Sequence, residues 1–298
     1  MRRALIGSLL CLCALAPALA AGTLDKVRDS GKLTIGYRAD TRPFAFTDDA
    51  GKPAGYSVAL CRKVADAVKD ELKLPVLAVD FVLVTAATRF DALQQGQVDL
   101  DCGTTTPTLE RRATVDFSIA IFSAGTGAVV RIDAAQRLHD ALASRPDVVQ
   151  PVWRAAPGAM TQKAVFAAVA GTTIEHSLIE ALKARRIEVS VTDVPDYAAG
   201  LQMVLDRRVA ALFGDRPVLL DAARRGASAG ELLVIERSFT RETIALSLRR
   251  GDDPFRLLVD RTLSRLFRSK EMGPLYTRYF GAPGLGTLDF FHSVALPE

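Results

Sequence analysis

The chain has 298 residues, a formal charge of +4, 49% hydrophobic and 24% charged residues, and four cysteines. Acids and bases are interspersed, with no basic run and no aromatic–basic interleaving, which argues against a nucleic-acid partner. The length is enough for two modest hydrophobic cores.

The N-terminus reads as an export signal. Arg2 and Arg3 precede an apolar run from Ala4 to Leu15. At about a dozen residues this run has the length of a signal-peptide core and falls short of the about 20 needed to span a bilayer. Ala18-Leu19-Ala20 puts small residues where a signal peptidase reads, so residues 1–20 are expected to be removed after Ala20. A lipoprotein signal would need a small residue before Cys11 or Cys13, where Leu10 and Leu12 stand. Cys11 and Cys13 leave with the signal. Cys61 and Cys102 remain, and such a pair in an oxidising compartment is expected as one disulfide; two buried free thiols are the alternative.

Strands and helices then alternate. Leu33, Ile35 and Tyr37 alternate as a half-buried strand, and Asp48-Asp49-Ala50-Gly51 is turn chemistry. A helix carries Leu60, Val64, Ala67 and Val68 on one face. Val79 to Val84 is a continuous apolar run, as in a buried parallel strand. A helix over Phe90–Gln95 ends at Gly96, and Val98–Cys102 is the next strand. The pattern repeats with a strand at Val165–Ala170, a helix at Ile174–Arg185 and an alternating strand through Ile187, Val189 and Val191. A helix through Leu201–Leu205 leads to a strand at Val209–Phe213, and further strands fall at Leu232–Ile235 and Ile244–Leu248. The tail is helical over Pro254–Ser269 and around Leu275–Phe280. Between Asp133 and Gln162 the pattern weakens. His139–Ser144 has helical character, and Pro146, Pro151 and Pro157 break the chain after it, so an exposed excursion is expected. The whole is an α/β pattern long enough for two lobes.

Three places have the chemistry of an anion site. The first is Gly103-Thr104-Thr105-Thr106-Pro107-Thr108-Leu109-Glu110-Arg111, following a strand. Thr106 is placed to cap a helix, with Pro107 and Glu110 suited to its first turn, and Arg111 can clamp a carboxylate with two parallel hydrogen bonds. An ordinary capped helix with a surface arginine is the alternative. The second is Gly171-Thr172-Thr173-Ile174-Glu175, where Thr172 and Glu175 make a capping box. The third is a set of single charges, Arg38, Arg89 and Asp215, at strand ends or helix starts, where ligands of open α/β sheets bind. Each singly also fits a solvated surface charge.

Signals for catalysis are poor. Gly226-Ala227-Ser228-Ala229-Gly230 matches a nucleophile-elbow string, but the strand–turn–helix order it needs is reversed. His139, His176 and His292 share no metal-ligand spacing. Gly125-Thr126-Gly127 lacks the third glycine of a dinucleotide fingerprint. Neither a metal nor a cofactor is expected.

The ordered strings resemble the extracellular solute-binding proteins of polar amino-acid ABC transporters, above all their glutamate/aspartate-binding branch. They are Gly36-Tyr37-Arg38, Pro43-Phe44-Ala45-Phe46, Gly55-Tyr56-Ser57, Thr88-Arg89-Phe90, Gly96-Gln97-Val98-Asp99-Leu100 and Asp101-Cys102-Gly103-Thr104-Thr105-Thr106. Glu110-Arg111, Phe117-Ser118, Gly171-Thr172-Thr173-Ile174-Glu175, Val209-Ala210-Ala211 and Gly214-Asp215 complete the set.

The resemblance implies a two-lobed periplasmic-binding-protein fold of type II, α/β, with two crossing strands between the lobes. Lobe one would take 21–122 and 244–298, and lobe two 123–243. Cys61 and Cys102 would form a bridge within lobe one. The ligand α-carboxylate would be held by Arg111 with Thr106, Thr172 and Thr173, and the α-ammonium by Thr104 and Asp215. Arg38 and Arg89 would hold the side-chain carboxylate of an acidic amino acid. The protein would be a periplasmic monomer that delivers its ligand to an inner-membrane ABC permease.

Three departures stand out: Ala86 where the acidic branch tends to have Ser, no His near Asp196-Tyr197, and an Asp133–Gln162 excursion longer than the family's. They leave open another amino acid or a small dicarboxylate. Some periplasmic dehydratases share this fold, and Glu175 would be the acid of such an enzyme.

Overall fold

The computed structural model describes residues 22–143, 164–184, 189–225 and 229–298. The expected signal, most of the 133–162 excursion, Arg185 and Ile187, and Gly226 to Ser228 of the Gly226–Gly230 loop lie outside them.

Helix α1 (Thr23–Ser30) leads into β1 (Lys32–Tyr37), and a small antiparallel sheet comes next, of β2 (Asp40–Thr41), β3 (Ala45–Thr47) and β4 (Pro53–Ala54). Then come α2 (Tyr56–Glu71), β5 (Ala78–Leu83), α3 (Arg89–Gln94), β6 (Leu100–Thr105), a single 3-10 turn at Arg111–Ala113, and β7 (Val115–Ala124). The middle of the chain holds β8 (Thr126–Arg131), α4 (Gln136–Ala143), β9 (Ala164–Val169), α5 (Thr173–Ala184), β10 (Val189–Val194), α6 (Tyr197–Leu205), β11 (Ala211–Asp215), α7 (Arg216–Ala223) and β12 (Leu232–Val234). The chain returns on β13 (Glu242–Arg249) and ends in α8 (Asp253–Arg268), α9 (Met272–Phe280) and α10 (Leu285–Val294).

The two large sheets have the orders β5-β1-β6-β13-β7 and β10-β9-β11-β8-β12. Each combines a parallel set with antiparallel strands: β13 runs against β6 and β7, and β8 runs against β11 and β12. The chain leaves the first sheet at Ala124, enters the second at Thr126, and comes back at Glu242, which pairs with Ala124. Two adjacent antiparallel strands therefore carry the connections between the lobes.

The first core packs α2 and α8 against the sheet through Leu60, Val64, Leu246, Phe255 and Leu263, all fully buried. Cys61 on α2 and Cys102 on β6 form a disulfide with Cα atoms 6.4 Å apart. Phe44, Tyr56, Phe122, Tyr276 and Phe280 cluster where the crossing strand meets α9, with Phe122 stacked on Tyr276 and the other rings edge-on or tilted. In the second lobe, Phe166 and Phe213 pack against each other, in one core with Ile174 and Leu178 of α5.

Three local expectations change. The run at Val79–Val84 does form a parallel strand, but β5 is the outermost strand of its sheet and largely exposed, with Leu83 61% accessible. An apolar run signals a strand but not which neighbour covers it. The α-helix expected after Thr106 is absent; the segment makes one 3-10 turn at Arg111–Ala113, and the hydroxyl that accepts from the Arg111 N–H, at 3.1 Å, is that of Thr108 rather than Thr106. The strand expected at Val98–Cys102 begins later, at Leu100, and runs to Thr105, which brings Thr104 onto the strand itself. Among the described residues no helix is long and apolar enough to cross a membrane.

Candidate functional site

The C-terminal ends of β1 and β6, the start of α3, the start of α5 and the end of β11 meet between the lobes. Arg38, one residue past β1, is only 2% exposed. Its Nε and Nη2 donate to Asp40 Oδ1 and Oδ2 at 2.9 and 2.7 Å, a bidentate pair. Burial works against this guanidinium, but Asp40 outweighs it and the pKa is raised. Arg38 thus carries its own counter-ion, a pairing that the sequence strings did not provide for.

Arg89 opens α3 and is also 2% exposed. Its Nη2 donates to the Gly171 carbonyl at 3.3 Å, whereas Nε and Nη1 are buried with no hydrogen-bond partner. The guanidinium lies 4.2 Å from the Phe90 ring centre. Burial lowers its pKa to about 9; Asp101 opposes this, while the positive charges of Arg111 and Arg38 add to it. A buried cation with unused donors is costly unless an anion meets it.

Arg111 is half-buried. It donates from Nη1 to the Thr106 carbonyl at 2.8 Å and from Nη2 to the Gly171 carbonyl at 3.2 Å. Two arginines of lobe one therefore converge on one carbonyl of lobe two. Gly171 sits at φ +75°, and an added Cβ would lie 3.1 Å from the Ala86 carbonyl oxygen, so the close approach needs glycine. Burial lowers the Arg111 pKa, with Glu242 acting in the opposite sense.

The predicted capping box forms with a shift: Glu175 reaches the Gly171 N–H rather than that of Thr172. Thr172 Oγ1 accepts from the Glu175 N–H at 3.4 Å and donates to the Val169 carbonyl, while Glu175 accepts from the Gly171 N–H at 2.9 Å. The Thr172 hydroxyl and the Glu175 carboxylate are thereby engaged at the start of α5. Glu175 is held as a cap rather than presented as an acid.

Asp215 ends β11, 9% exposed, and accepts from the Tyr197 hydroxyl at 3.1 Å. Gly214 is needed here, because a Cβ would come within 2.3 Å of the Tyr197 ring. Burial raises the Asp215 pKa to about 6, against the pull of Arg38 and the Tyr197 hydrogen bond. Thr104 Oγ1 is buried near this carboxylate without a completed hydrogen bond of its own. Below the arginines lies Asp101, fully buried, accepting from Thr105 and Ser247 on Oδ2, with Oδ1 unpartnered. Burial raises its pKa and Arg89 opposes the rise.

The structure thus brings Arg38, Arg89, Thr104, Thr106, Arg111, Thr172, Thr173 and Asp215 to the junction of the two large sheets, where hydrogen bonds to Gly171 and Glu242 cross from one to the other. Four polar residues there are assigned no role by the sequence: Asp40, Asp101, Tyr197 and Glu242. Asp101 carried a signal, a charge between Leu100 and Cys102 inside a strand. Glu242 carried none; it becomes visible only when the crossing strand folds back. Among the described residues, no three His, Cys, Asp or Glu side chains are placed to hold a metal.

A cleft of this kind between two mixed sheets points to a known family, and the sequence bears it out: residues 33–282 match the family model of bacterial extracellular solute-binding proteins, family 3. The chain belongs to that family. An L-glutamate/L-aspartate-binding protein of Pseudomonas aeruginosa is 31% identical over 264 residues, covering 88% of this chain and 81% of the relative. A glutamate/aspartate import solute-binding protein of Escherichia coli is 25% identical over 268 residues, 90% of this chain and 82% of the relative. Among solved structures, an ancestral amino-acid-binding protein described as a precursor of cyclohexadienyl dehydratase superposes with a TM-score of 0.70 at 26% identity, covering 87% of this chain and all of that one. This solute-binding protein therefore has the two-lobed type II fold, and its relatives in sequence are binding proteins rather than enzymes.

Proposed function

We propose that this family 3 amino-acid-binding protein captures an acidic amino acid, glutamate or aspartate, and hands it to an inner-membrane ABC permease. The observation that carries the acidic preference is Arg89, a buried guanidinium with Nε and Nη1 unpartnered beside a second arginine. A side-chain carboxylate would supply the missing acceptors and the missing negative charge, whereas an apolar side chain would leave both wanting. Arg38, held by Asp40, adds positive potential and shape rather than free donors. Arg111 and the N–H groups at the start of α5 receive the α-carboxylate, and Asp215 with Thr104 receives the α-ammonium. The glutamate/aspartate-binding relatives support the same reading.

We infer further that residues 1–20 direct export to the periplasm. On this reading lobe one comprises 21–122 and 244–298, and lobe two 123–243. A monomer closes these lobes on its ligand, like other two-lobed binding proteins.

The test is a thermal-shift screen of all common amino acids and the small dicarboxylates. Glutamate or aspartate should give the largest rise, by about 2.7 kcal/mol of stability at a hundredfold excess over the dissociation constant. A rise with glutamine or arginine and none with either acid would overturn the acidic reading.

A further inference from the structure

Glu242 is the first residue of the returning strand β13, opposite Ala124 on β7. Its carboxylate is a junction. Oε2 accepts from the Thr106 hydroxyl of lobe one at 2.9 Å and from the Thr173 hydroxyl of lobe two at 3.1 Å. Oε1 accepts from the Thr240 hydroxyl at 2.9 Å, and Thr240 Oγ1 in turn accepts from the Thr126 N–H at 3.0 Å. One side chain thus ties the connection between the lobes to a residue on each face of the cleft.

A threonine hydroxyl has a single proton. With that proton given to Glu242, Thr106 and Thr173 can offer the cleft only lone pairs from their side chains. They were expected to donate to the ligand α-carboxylate; in this geometry only their backbone N–H groups can do so. The Glu242 carboxylate also sits close enough to Arg111 and Asp215 to act on both electrostatically. The α-group end of the cleft therefore has hydroxyls turned to acceptors and the two carboxylates of Glu242 and Asp215; Arg111 stands beside them, and Arg38, already paired with Asp40, acts on Asp215.

We infer that Glu242 is a specificity-determining residue: by taking the Thr106 and Thr173 protons and adding its own negative charge, it makes a ligand α-ammonium obligatory. The inference rests on the amino-acid site proposed above and deepens it. A dicarboxylate of the same carbon chain but without the amine would meet acceptors and a negative potential where it has no cation to offer. Such dicarboxylates would be excluded even though Arg89 and Arg111 could hold both of their carboxylates.

The experiment is calorimetric titration of the wild-type protein and of Glu242→Gln with L-glutamate and with glutarate, which lacks only the amine. The amide carries no charge, and its N–H groups release the threonine protons when they face them. The wild type should prefer glutamate by a hundredfold or more. In Glu242→Gln that preference should shrink at least tenfold, with glutarate gaining in absolute affinity. A preference that shrinks less than tenfold, or a proportional loss of both ligands, would overturn the inference and leave Glu242 a purely structural tie.

Thr106→Val gives an independent reading should Glu242→Gln fold poorly. It should weaken glutamate and spare glutarate; an equal loss of both would mean that the hydroxyl donates to the carboxylate after all. If the wild type binds another amino acid instead of glutamate, the acidic reading fails. The same comparison, with that amino acid and its deamino counterpart, then decides the role of Glu242 separately.

Discussion

Replacing Arg89 by Met should stabilise the protein and silence it. The guanidinium is held at a pKa of about 9, and the distance from the usual arginine range corresponds to a cost of roughly 5 kcal/mol for keeping the charge in place. Against this stand its hydrogen bond to the Gly171 carbonyl, about 1 kcal/mol, and the Phe90 ring face, about 2 kcal/mol. Methionine fills a similar volume without the charge, so Arg89→Met should gain roughly 2 kcal/mol, as replacements of buried charges by apolar side chains often do. The assay is equilibrium denaturation with and without saturating L-glutamate. The wild type should gain stability on adding glutamate, and the variant should start higher and gain nothing. A variant less stable than wild type by about 1 kcal/mol or more would show that the guanidinium is already satisfied. A retained glutamate response would remove Arg89 from the site.

Asp215 and the disulfide give two more predictions. Burial raises the Asp215 carboxyl to a pKa of about 6, so below that pH the proposed acceptor for the α-ammonium is lost. Calorimetric affinity for glutamate should fall about tenfold between pH ~7.5 and pH ~5. Without ligand the sign is opposite: between about pH 4 and about pH 6 the folded chain keeps a proton that the unfolded chain has released, so this group's contribution to stability declines as pH rises through that window. Equal or tighter binding at the lower pH would exclude Asp215 from the ammonium site. Cys61 and Cys102 close a loop with a sequence separation of 41. The double replacement Cys61→Ser, Cys102→Ser should cost about 4 kcal/mol at most in the chain-entropy account, and unchanged denaturation midpoints would contradict it.

The parts of the fold that can be read from sequence are those whose signal is local. The strand at Leu33, Ile35 and Tyr37, the apolar face of α2 and the Thr172–Glu175 cap each depend on residues a few positions apart, and each forms, although β1 lies between β5 and β6 and is buried on both faces rather than half-buried. Strand β7 escapes such a reading because Ser118, Ala120 and Ser123 dilute its apolar pattern. Strand β8 escapes it because Gly125 and Gly127 read as a failed nucleotide motif; its Ala128, Val129 and Val130 are fully buried. In the site, residue types are legible but their pairings are not. That Arg38 belongs to Asp40 cannot be told from spacing, since an arginine two residues from an aspartate fits a solvated surface equally well. The union of Thr106, Thr173 and Glu242 joins residues as far as 136 positions apart.

The Gly171 carbonyl couples the two ends of the cleft. It accepts from Arg89 at 3.3 Å and from Arg111 at 3.2 Å, and these two side chains address opposite ends of the proposed ligand. Any shift of that carbonyl alters both at once. The energies of the two ends are therefore not separable: weakening the grip on one carboxylate loosens the other through lobe two. Fragments of the ligand should bind less well than their shares of the whole would suggest, and single replacements at Arg89 and Arg111 should overlap rather than add. On the proposed acidic-ligand reading, a single peptide oxygen makes recognition of the two carboxylates one cooperative event.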